Sequence, residues 1–178
     1  MTLFRHALGG KLDLALREEW TVEPLHELIT ANLDHLRPWE PWAHGDQSID
    51  ALRDYTRRGL NDWLEGRSLP AVILEDGQPI GVAGARIDTY FVSAEFGYWI
   101  DAHHQGRGVI TRAVSALVYY LSTDRAVKRA EIRTAVNNQR SRAVAERLGF
   151  THEGTLRSAL PIGGHREDLA IYGLVTEN

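Results

Sequence analysis

The residues best suited to chemistry form a short loop between a predicted strand and a predicted helix. Gly106 and Gly108 are one residue apart in this loop, and the helix is expected to begin at Gly108. The first turn of a helix has main-chain N–H groups without acceptors, at the positive end of the helix dipole. Because glycine lets the backbone approach a ligand closely, the loop predicts an anion site suited to phosphate groups.

The side chains around these glycines strengthen the prediction of a phosphate site. Arg107 and Arg112 can donate charge-assisted hydrogen bonds to phosphate oxygens, and Thr111 adds a hydroxyl. The loop is not a Walker A motif, since no Gly-Lys-Ser/Thr follows, and its glycine spacing is not that of a Rossmann fold. A tight strand–helix turn without a ligand remains the alternative.

A second polar segment, residues 137–141, follows another predicted strand and begins a short helix. Asn138 and Ser141 both belong to residue types that favour the start of a helix, so capping is one interpretation. Presentation of the Ser141 hydroxyl to a ligand is another. The two are compatible, because a cap would fix the position of the hydroxyl.

The hydrophobic pattern predicts the elements that position these segments. Helices are expected at residues 21–35, 48–66, 108–122 and 140–148. Strands are expected at residues 12–17, 69–75, 78–87, 94–101, 131–136, from 150 onward and at 168–175. This order indicates an α+β (mixed α/β) chain with a mostly antiparallel central sheet, and a single domain over residues 1–178.

Composition excludes several classes of function. The 178 residues include no cysteine, which excludes thiolate metal sites and an acyl-cysteine mechanism. No metal site is expected, since adjacent turn residues such as His103 and His104 rarely share an ion and are better explained as solvated side chains. A net charge of −4 argues against direct binding of nucleic acid. No signal peptide or membrane-spanning run is found, so we expect a cytoplasmic protein without a membrane partner.

Together the two segments resemble the GNAT acetyltransferase superfamily. Residues 105–111 are similar to its acyl-CoA pyrophosphate motif, with Ile110 where a second small residue often stands. Residues 138–150, with Asn-x-x-Ser and a later Leu-Gly-Phe, resemble the following motif in the branch of ribosomal-protein N-terminal acetyltransferases called RimJ/RimL-like. The segments Leu-Arg-Pro-Trp-Glu-Pro-Trp at 36–42 and Glu-Phe-Gly-Tyr-Trp at 95–99 are also typical of that branch.

The resemblance implies a GNAT fold with a splayed strand pair and acetyl-CoA as acyl donor. The strand ending at Ile100 would expose backbone groups to the pantetheine amides, and Asn138 would bond the same arm. The residues implied to surround the pyrophosphate are Gln105, Gly106, Arg107, Gly108, Val109, Ile110 and Thr111. Ser141 would lie near the sulfur and assist the departing thiolate, while Glu95 would be the general base, directly or through a water.

The reaction implied is direct transfer of acetyl to a primary amine. A lysine-like amine has a pKa of about 10.4 and is rarely neutral at pH 7, whereas an α-amine near 7.7–8.0 needs less help from a base. The acceptor is expected to be a protein N-terminus of the ribosomal-protein type, with Trp39 and Trp42 lining its groove or packing on the early helices. A small-molecule amine (polyamine, amino acid or antibiotic), a longer acyl group and a non-catalytic acyl-CoA-binding module remain alternatives. The oligomeric state is open, and a homodimer is one arrangement that the sequence allows.

Overall fold

The computed structural model describes residues 5–176, so residues 1–4 and 177–178 of the predicted domain lie outside the description. Its helices are α1 (Val22–Leu36), α2 (Ile49–Leu64), α3 (Val109–Asp124) and α4 (Gln139–Arg147). Its strands are β1 (Arg5–Gly9), β2 (Leu12–Leu16), β3 (Ser68–Glu75), β4 (Gln78–Asp88), β5 (Ser93–Ile100), β6 (Arg129–Ala135), β7 (Thr151–Ile162) and β8 (His165–Val175). Two short 3-10 turns, Pro41–His44 and Ala102–His104, border the cleft described below.

The strands form one eight-stranded sheet in the order β1-β2-β3-β4-β5-β6-β8-β7. Neighbouring strands are antiparallel, except that β5 and β6 are parallel. The predicted mixed α/β class with a mostly antiparallel sheet is therefore confirmed. The predicted β3–β4 turn is also present, with Asp76 and Gly77 at φ +50 and +81. Two positive φ values in a two-residue loop match the twist of antiparallel strands, which fixes the register of this hairpin.

Helices cover both faces of the sheet. On one face α3 buries the apolar stripe predicted from its 3.6-residue period, which consists of Val109, Ala113, Leu117 and Leu121. These side chains share one core with Phe96 of β5 and Ile132 of β6. On the other face Leu25 of α1 packs with Val72 and Leu74 of β3. Burial of each large apolar side chain contributes about 1.5–3 kcal/mol, so both layers hold the central strands in place.

Most predicted elements are present, with boundaries shifted by a few residues. Ser48 caps α2 as expected, since its Oγ accepts a hydrogen bond of 3.2 Å from the Ala51 N–H. Thr21 precedes α1, but its hydroxyl donates to the Glu18 carbonyl and makes no cap hydrogen bond. Strand β1 was not predicted. Its residues are mostly exposed and pair only with β2 at the sheet edge, so they lack the apolar alternation that identifies a half-buried strand.

Within residues 5–176, no helix combines the length and the apolar character that crossing a bilayer would require.

Candidate active site

The sheet opens between its two parallel strands. β5 pairs with β6 only from Ser93↔Arg129 to Phe96↔Ile132. Beyond that point β5 continues along β4 as far as Ile100, while β6 continues along β8 as far as Ala135. The two strands diverge because each follows its other neighbour, and this is the splayed pair that the resemblance implied. The divergence leaves the edge of β5 at Gly97–Ile100 facing an opening rather than a strand.

A cleft of about 1090 Å³ occupies this opening. One wall comes from the end of β5, the glycine loop, the start of α3 and the start of α4. The other comes from the end of α1 and the irregular segment that follows it, including Trp39, Glu40 and Pro41. We call the first the loop wall and the second the tryptophan wall. Of the predicted site residues, those lining the cleft are Glu95, Ile100, Gln105, Gly106, Gly108, Val109, Ile110, Thr111, Asn138 and Ser141.

The glycine loop presents main-chain amides to the cleft. Gly106 and Gly108 have φ of +73 and +70, and Gly108 immediately precedes α3. A Cβ at either position would meet no heavy atom within 4 Å, so the positive φ and not crowding within the protein requires glycine here. The N–H groups of Val109, Ile110 and Thr111 belong to the first turn of α3, where no intrahelical acceptor exists. The geometry fits an anion.

The Arg107 side chain points away from this cradle. Its guanidinium pairs with both carboxylate oxygens of Glu75 on β3, and Arg107 is not part of the cleft lining. The hydrogen bonds from Arg107 hold the pKa of the Glu75 carboxyl below its usual value, although burial partly opposes the shift. Arg112, unlike Arg107, lines the cleft, and the Nη2 of Arg112 donates 3.5 Å to the Arg107 carbonyl. The predicted contribution of Arg107 is therefore restricted to its main chain in this arrangement.

A buried polar network fixes the start of the loop to α1. Asn32 donates to Asp101 at 2.9 Å and accepts from the Ala102 N–H at 2.9 Å. His104 lies between Asp101 at 2.5 Å and Glu75 at 3.2 Å. Burial alone would raise the pKa of Asp101, but the hydrogen bonds from Asn32 and His104 outweigh it and lower the pKa. His104 is thus a structural side chain, which corrects the expectation that it is solvated; His103 is exposed as expected.

Gln105 connects the two walls of the cleft. Its amide nitrogen lies 2.7 Å from Nε2 of His35 on α1, and its oxygen accepts 2.5 Å from Arg140 on α4. Both side-chain groups are therefore occupied within the protein. Gln105 positions the loop between the helices, and any contact with a ligand would use its main chain or displace one of these partners.

The start of α4 shows the helix cap that one interpretation of the sequence predicted. The Oδ1 of Asn138 accepts 3.1 Å from the Ser141 N–H, so Asn138 caps the helix. The Ser141 hydroxyl then faces Tyr98 on β5, with 3.0 Å between the two side-chain oxygens. The Tyr98 hydroxyl also lies 3.3 Å from the Ser141 carbonyl. Burial raises the pKa of Tyr98 to about 12, with a smaller contribution from the negative charge of Glu40.

Tyr98 was not predicted to belong to the site in this way. The resemblance included Tyr98 in the segment at 95–99, but its contact with Ser141 was not predicted, because the two residues are 43 positions apart in the chain. The signal was the alternation along β5, which places Tyr98 on the same face as Phe96 and Ile100. We call Tyr98 and Ser141 the hydroxyl pair.

Glu95 lies on the cleft wall but is engaged with cations. Its Oε2 is 3.0 Å from Arg86 on β4 and 3.6 Å from Arg133 on β6. Arg133 also pairs with Glu131 at 2.8 Å, so Glu95 belongs to a row of alternating charges across three strands. The Glu95 side chain is 31% exposed, and two guanidinium groups lie beside its carboxylate.

Glu40, on the tryptophan wall, has a different environment. Its Oε2 accepts 2.8 Å from the indole N–H of Trp42. Burial raises the pKa of Glu40 to about 7, even though this hydrogen bond acts in the opposite direction. Trp42 itself packs against Trp99 of β5, with 6.2 Å between the ring centroids. Sequence reasoning gave Glu40 no role, although a carboxyl group flanked by two tryptophans and two prolines is an unusual enough surrounding to mark it.

Comparison with known proteins agrees with this geometry. The family model described as an acetyltransferase (GNAT) domain matches residues 14–151. A putative ribosomal N-acetyltransferase of Bacillus subtilis is 33% identical, over 97% of this chain and 96% of the relative. The ribosomal-protein-serine acetyltransferase of Escherichia coli is 30% identical, over 96% of each chain.

A solved structure is also similar over the whole chain. RimL, a ribosomal L7/L12 alpha-N-protein acetyltransferase in complex with coenzyme A, superposes with a TM-score of 0.93 at 26% identity, covering 97% of this chain and 98% of that one. The resemblance found in the glycine loop and the α4 segment is thus supported by family, relatives and fold. The chain belongs to the GNAT acetyltransferase family, as an acetyl-CoA-dependent N-acetyltransferase.

Proposed function

We propose that this enzyme acetylates the α-amino group of a protein N-terminus, of the kind that ribosomal proteins present. The observation that carries the proposal is the meeting, in one cleft, of the main-chain cradle, the opened strand edge and the hydroxyl pair. The names of the two relatives at 33% and 30% identity support the acceptor class. A cytoplasmic location is part of the same proposal, because acetyl-CoA and newly made ribosomal proteins are both present there.

On the loop wall, the donor would be held mainly by backbone. The amides from Gly106 to Thr111 would receive the diphosphate, since they combine unpaired N–H groups with the helix dipole. The free edge of β5 near Ile100 would pair with the pantetheine amides as an additional strand does. The Asn138 amide nitrogen would bond the same arm, because only its oxygen is used in the cap.

The hydroxyl pair would stabilise the departing thiolate. Tyr98 remains a neutral phenol at physiological pH because burial places its pKa at about 12. It can therefore donate a hydrogen bond to Ser141, whose own hydroxyl proton is then free to point at a sulfur. Since a thiol has a pKa near 8.5, the thiolate needs only modest assistance, and the pair is expected to accelerate transfer without being indispensable.

The acceptor would enter beside the tryptophan wall. An α-amine with a pKa of about 7.7–8.0 is partly neutral at pH 7.5, so the base required is weaker than for lysine. Glu95 is the base that the resemblance implied, and its pairs with Arg86 and Arg133 mean that it would act through a water or after releasing one of them. Trp39 and Pro41 provide an apolar surface for the first side chains of a peptide.

A panel of amines tests the acceptor class. Acetyl-CoA is supplied with N-terminal peptides of ribosomal proteins, with polyamines, with aminoglycosides and with amino acids, and product is measured by mass spectrometry. The matched control is each peptide with a blocked α-amine and a free lysine. We expect turnover on free α-amines and little on the controls. Preference for a polyamine or an aminoglycoside would replace the acceptor class, and tight binding of acetyl-CoA without turnover on any amine would overturn the assignment as a catalyst.

A further inference from the structure

Two carboxylates line the cleft within the described residues, Glu40 and Glu95, and their surroundings are opposite. Glu95 has two guanidinium groups at its oxygens. Within residues 5–176, no cation pairs with Glu40, and the only donor to its carboxylate is the Trp42 indole at Oε2. The second oxygen, Oε1, is therefore available to a substrate. A general base needs a lone pair free to take the proton, and Glu40 meets this requirement.

The backbone fixes Glu40 at the rim of the tryptophan wall. Its N–H donates 2.9 Å to the Leu36 carbonyl at the end of α1, and Glu40 immediately precedes the 3-10 turn Pro41–His44. Prolines at 38 and 41 restrict the chain on either side. The Glu40 carboxylate is thus held by the hydrogen bond at Oε2, and the main chain that carries the side chain is stiff. Such preorganisation limits the motion of a proton acceptor during reaction.

Glu40 and Tyr98 of the hydroxyl pair line the same cleft. The negative charge of Glu40 adds a small contribution to the raised pKa of Tyr98, of which burial is the main cause. Burial brings the pKa of Glu40 to about 7 and that of Tyr98 to about 12. Both shifts are upward, so Glu40 holds a proton more tightly than an ordinary carboxylate does, while Tyr98 stays protonated and can donate. Glu40 lies on the tryptophan wall, and Tyr98 lies on the loop wall beside Ser141.

We propose that Glu40 is the catalytic base that takes the proton from the acceptor amine, with the hydroxyl pair of the loop wall as the acid. The inference rests on the proposed function and replaces Glu95, the base that the resemblance implied, by Glu40 as the residue that receives the proton. It assigns Glu95 to the charged row on the sheet rather than to proton transfer.

The acceptor ammonium gives one proton to Oε1 of Glu40, and the neutral nitrogen then attacks the acyl carbon. The C–N bond forms, the C–S bond breaks, and the bonding pair leaves with sulfur as thiolate. The second proton of the nitrogen passes to the thiolate by way of the hydroxyl pair, giving a free thiol. Glu40 releases its proton to solvent after the amide product departs.

The test compares Glu40→Gln with Glu95→Gln on the best amine found for the wild type, by measuring kcat from pH 5.5 to 9.5. The other charged or ionisable side chains of this region are Arg37 and His44 on the segment of Glu40, His35 of α1, and Glu95 and Tyr98 of β5. In the wild type we expect kcat to increase with pH through about pH 7, matching the Glu40 pKa; this rising part of the pH–rate profile is called the limb below. In Glu40→Gln we expect kcat at pH 7 to fall by about 10²-fold, and the rise near pH 7 to be replaced by one near the acceptor amine's own pKa of about 7.7–8.0.

Glu95→Gln should keep the limb near pH 7 whatever its effect on rate. Loss of the limb in Glu95→Gln and its retention in Glu40→Gln would overturn the proposal and assign proton transfer to Glu95. Trp42→Phe supplies a directional check, because loss of the indole donor should move the limb to higher pH. An unmoved limb in Trp42→Phe would also contradict the proposal. Circular dichroism and acetyl-CoA affinity show that each variant is folded.

A second readout does not depend on turnover. In protein with ¹³C-labelled glutamate carboxyls, the resonance missing from Glu40→Gln is assigned to Glu40 and titrated. We expect its midpoint near pH 7; a midpoint in the usual carboxylate range would overturn the proposal. Failure of the proposed function is separate, since it would appear as the wrong amine in the wild-type panel, and the carboxyl titration would still decide the role of Glu40.

Discussion

The loop wall and the tryptophan wall line the same cleft, but they are built on different principles. The loop wall is mostly main chain: two glycines with positive φ, the first turn of a helix, and a strand edge without a partner. The tryptophan wall is mostly side chain, on a segment whose prolines keep it out of regular structure. A backbone surface suits the part of the substrate that never changes, and a side-chain surface suits the part that selects the acceptor.

The largest expected effect comes from breaking the loop wall. Gly108→Val forces a β-branched residue to φ of +70 and places a side chain over the amides. We expect the affinity for acetyl-CoA, measured by calorimetry, to fall by about 10²-fold. Gly10→Val is the control, because Gly10 also has a positive φ (+64) but lies in the β1–β2 turn, away from the cleft lining. Equal losses of affinity in the two variants would show that general strain, and not the cradle, is responsible.

Removing the hydroxyl pair should affect turnover and spare donor binding. We expect Ser141→Ala and Tyr98→Phe each to lower kcat by about 10–10²-fold, with acetyl-CoA affinity nearly unchanged. The double variant should be little worse than either single one, because the two hydroxyls act as a unit. Steady-state kinetics and binding measured on the same samples check this. Additive losses would mean that the two hydroxyls serve separate steps.

Glu40 should reduce stability, in contrast to most carboxylates. Its folded pKa of about 7 exceeds the ordinary 4.5, so the folded state holds the proton more tightly between these values. The destabilisation by ionised Glu40 grows as pH rises from about 4.5 to about 7. It is fully present above about pH 7 and absent below about pH 4.5. We expect Glu40→Gln to raise the free energy of unfolding at pH 8 by about 1–2 kcal/mol, after allowance for partial exposure. Urea unfolding at pH 8 and pH 4.5 measures the difference, and a gain that is the same at both would contradict the assignment.

The smallest effect separates two arginines of the loop wall. Arg112 lines the cleft, whereas Arg107 pairs with Glu75 outside it. Arg112→Ala should weaken acetyl-CoA binding by about 3–5-fold and Arg107→Ala by less than about 2-fold, since an exposed ion pair is worth about 0–1 kcal/mol. Reversed magnitudes would show that Arg107 leaves Glu75 when the donor binds. The affinities are compared at one ionic strength because salt screens both contacts.

The same contrast between the walls explains what could be predicted from the sequence. Gly106 and Gly108 indicate a backbone conformation that other residues rarely adopt. The periodicity of β5 and α3 places this loop between a strand and the start of a helix. Main-chain sites are readable because glycine and helix starts have local signatures. The splay between β5 and β6 followed from the resemblance, since strand divergence depends on pairing with β4 and β8 at distant positions in the chain.

Contacts between distant side chains were less accessible. The contact of Tyr98 with Ser141 depends on the packing of α4 against the sheet. The contacts of His104 with Asp101 and Glu75 depend on the fold bringing these two carboxylates together. Glu40 illustrates the limit most clearly. The prolines and tryptophans around Glu40 mark the segment as unusual, but the burial that raises the Glu40 pKa exists only in the folded cleft.

The central claim is that the donor is recognised by main-chain amides at the start of α3 and along the free edge of β5. It is tested most directly by following backbone amide resonances while coenzyme A is added to ¹⁵N-labelled protein. We expect the largest shifts at Gly106, Gly108 and Ile110 and along Gly97–Ile100, with none in the β1–β2 hairpin. Saturable binding that leaves the amides of the glycine loop unshifted would contradict the account.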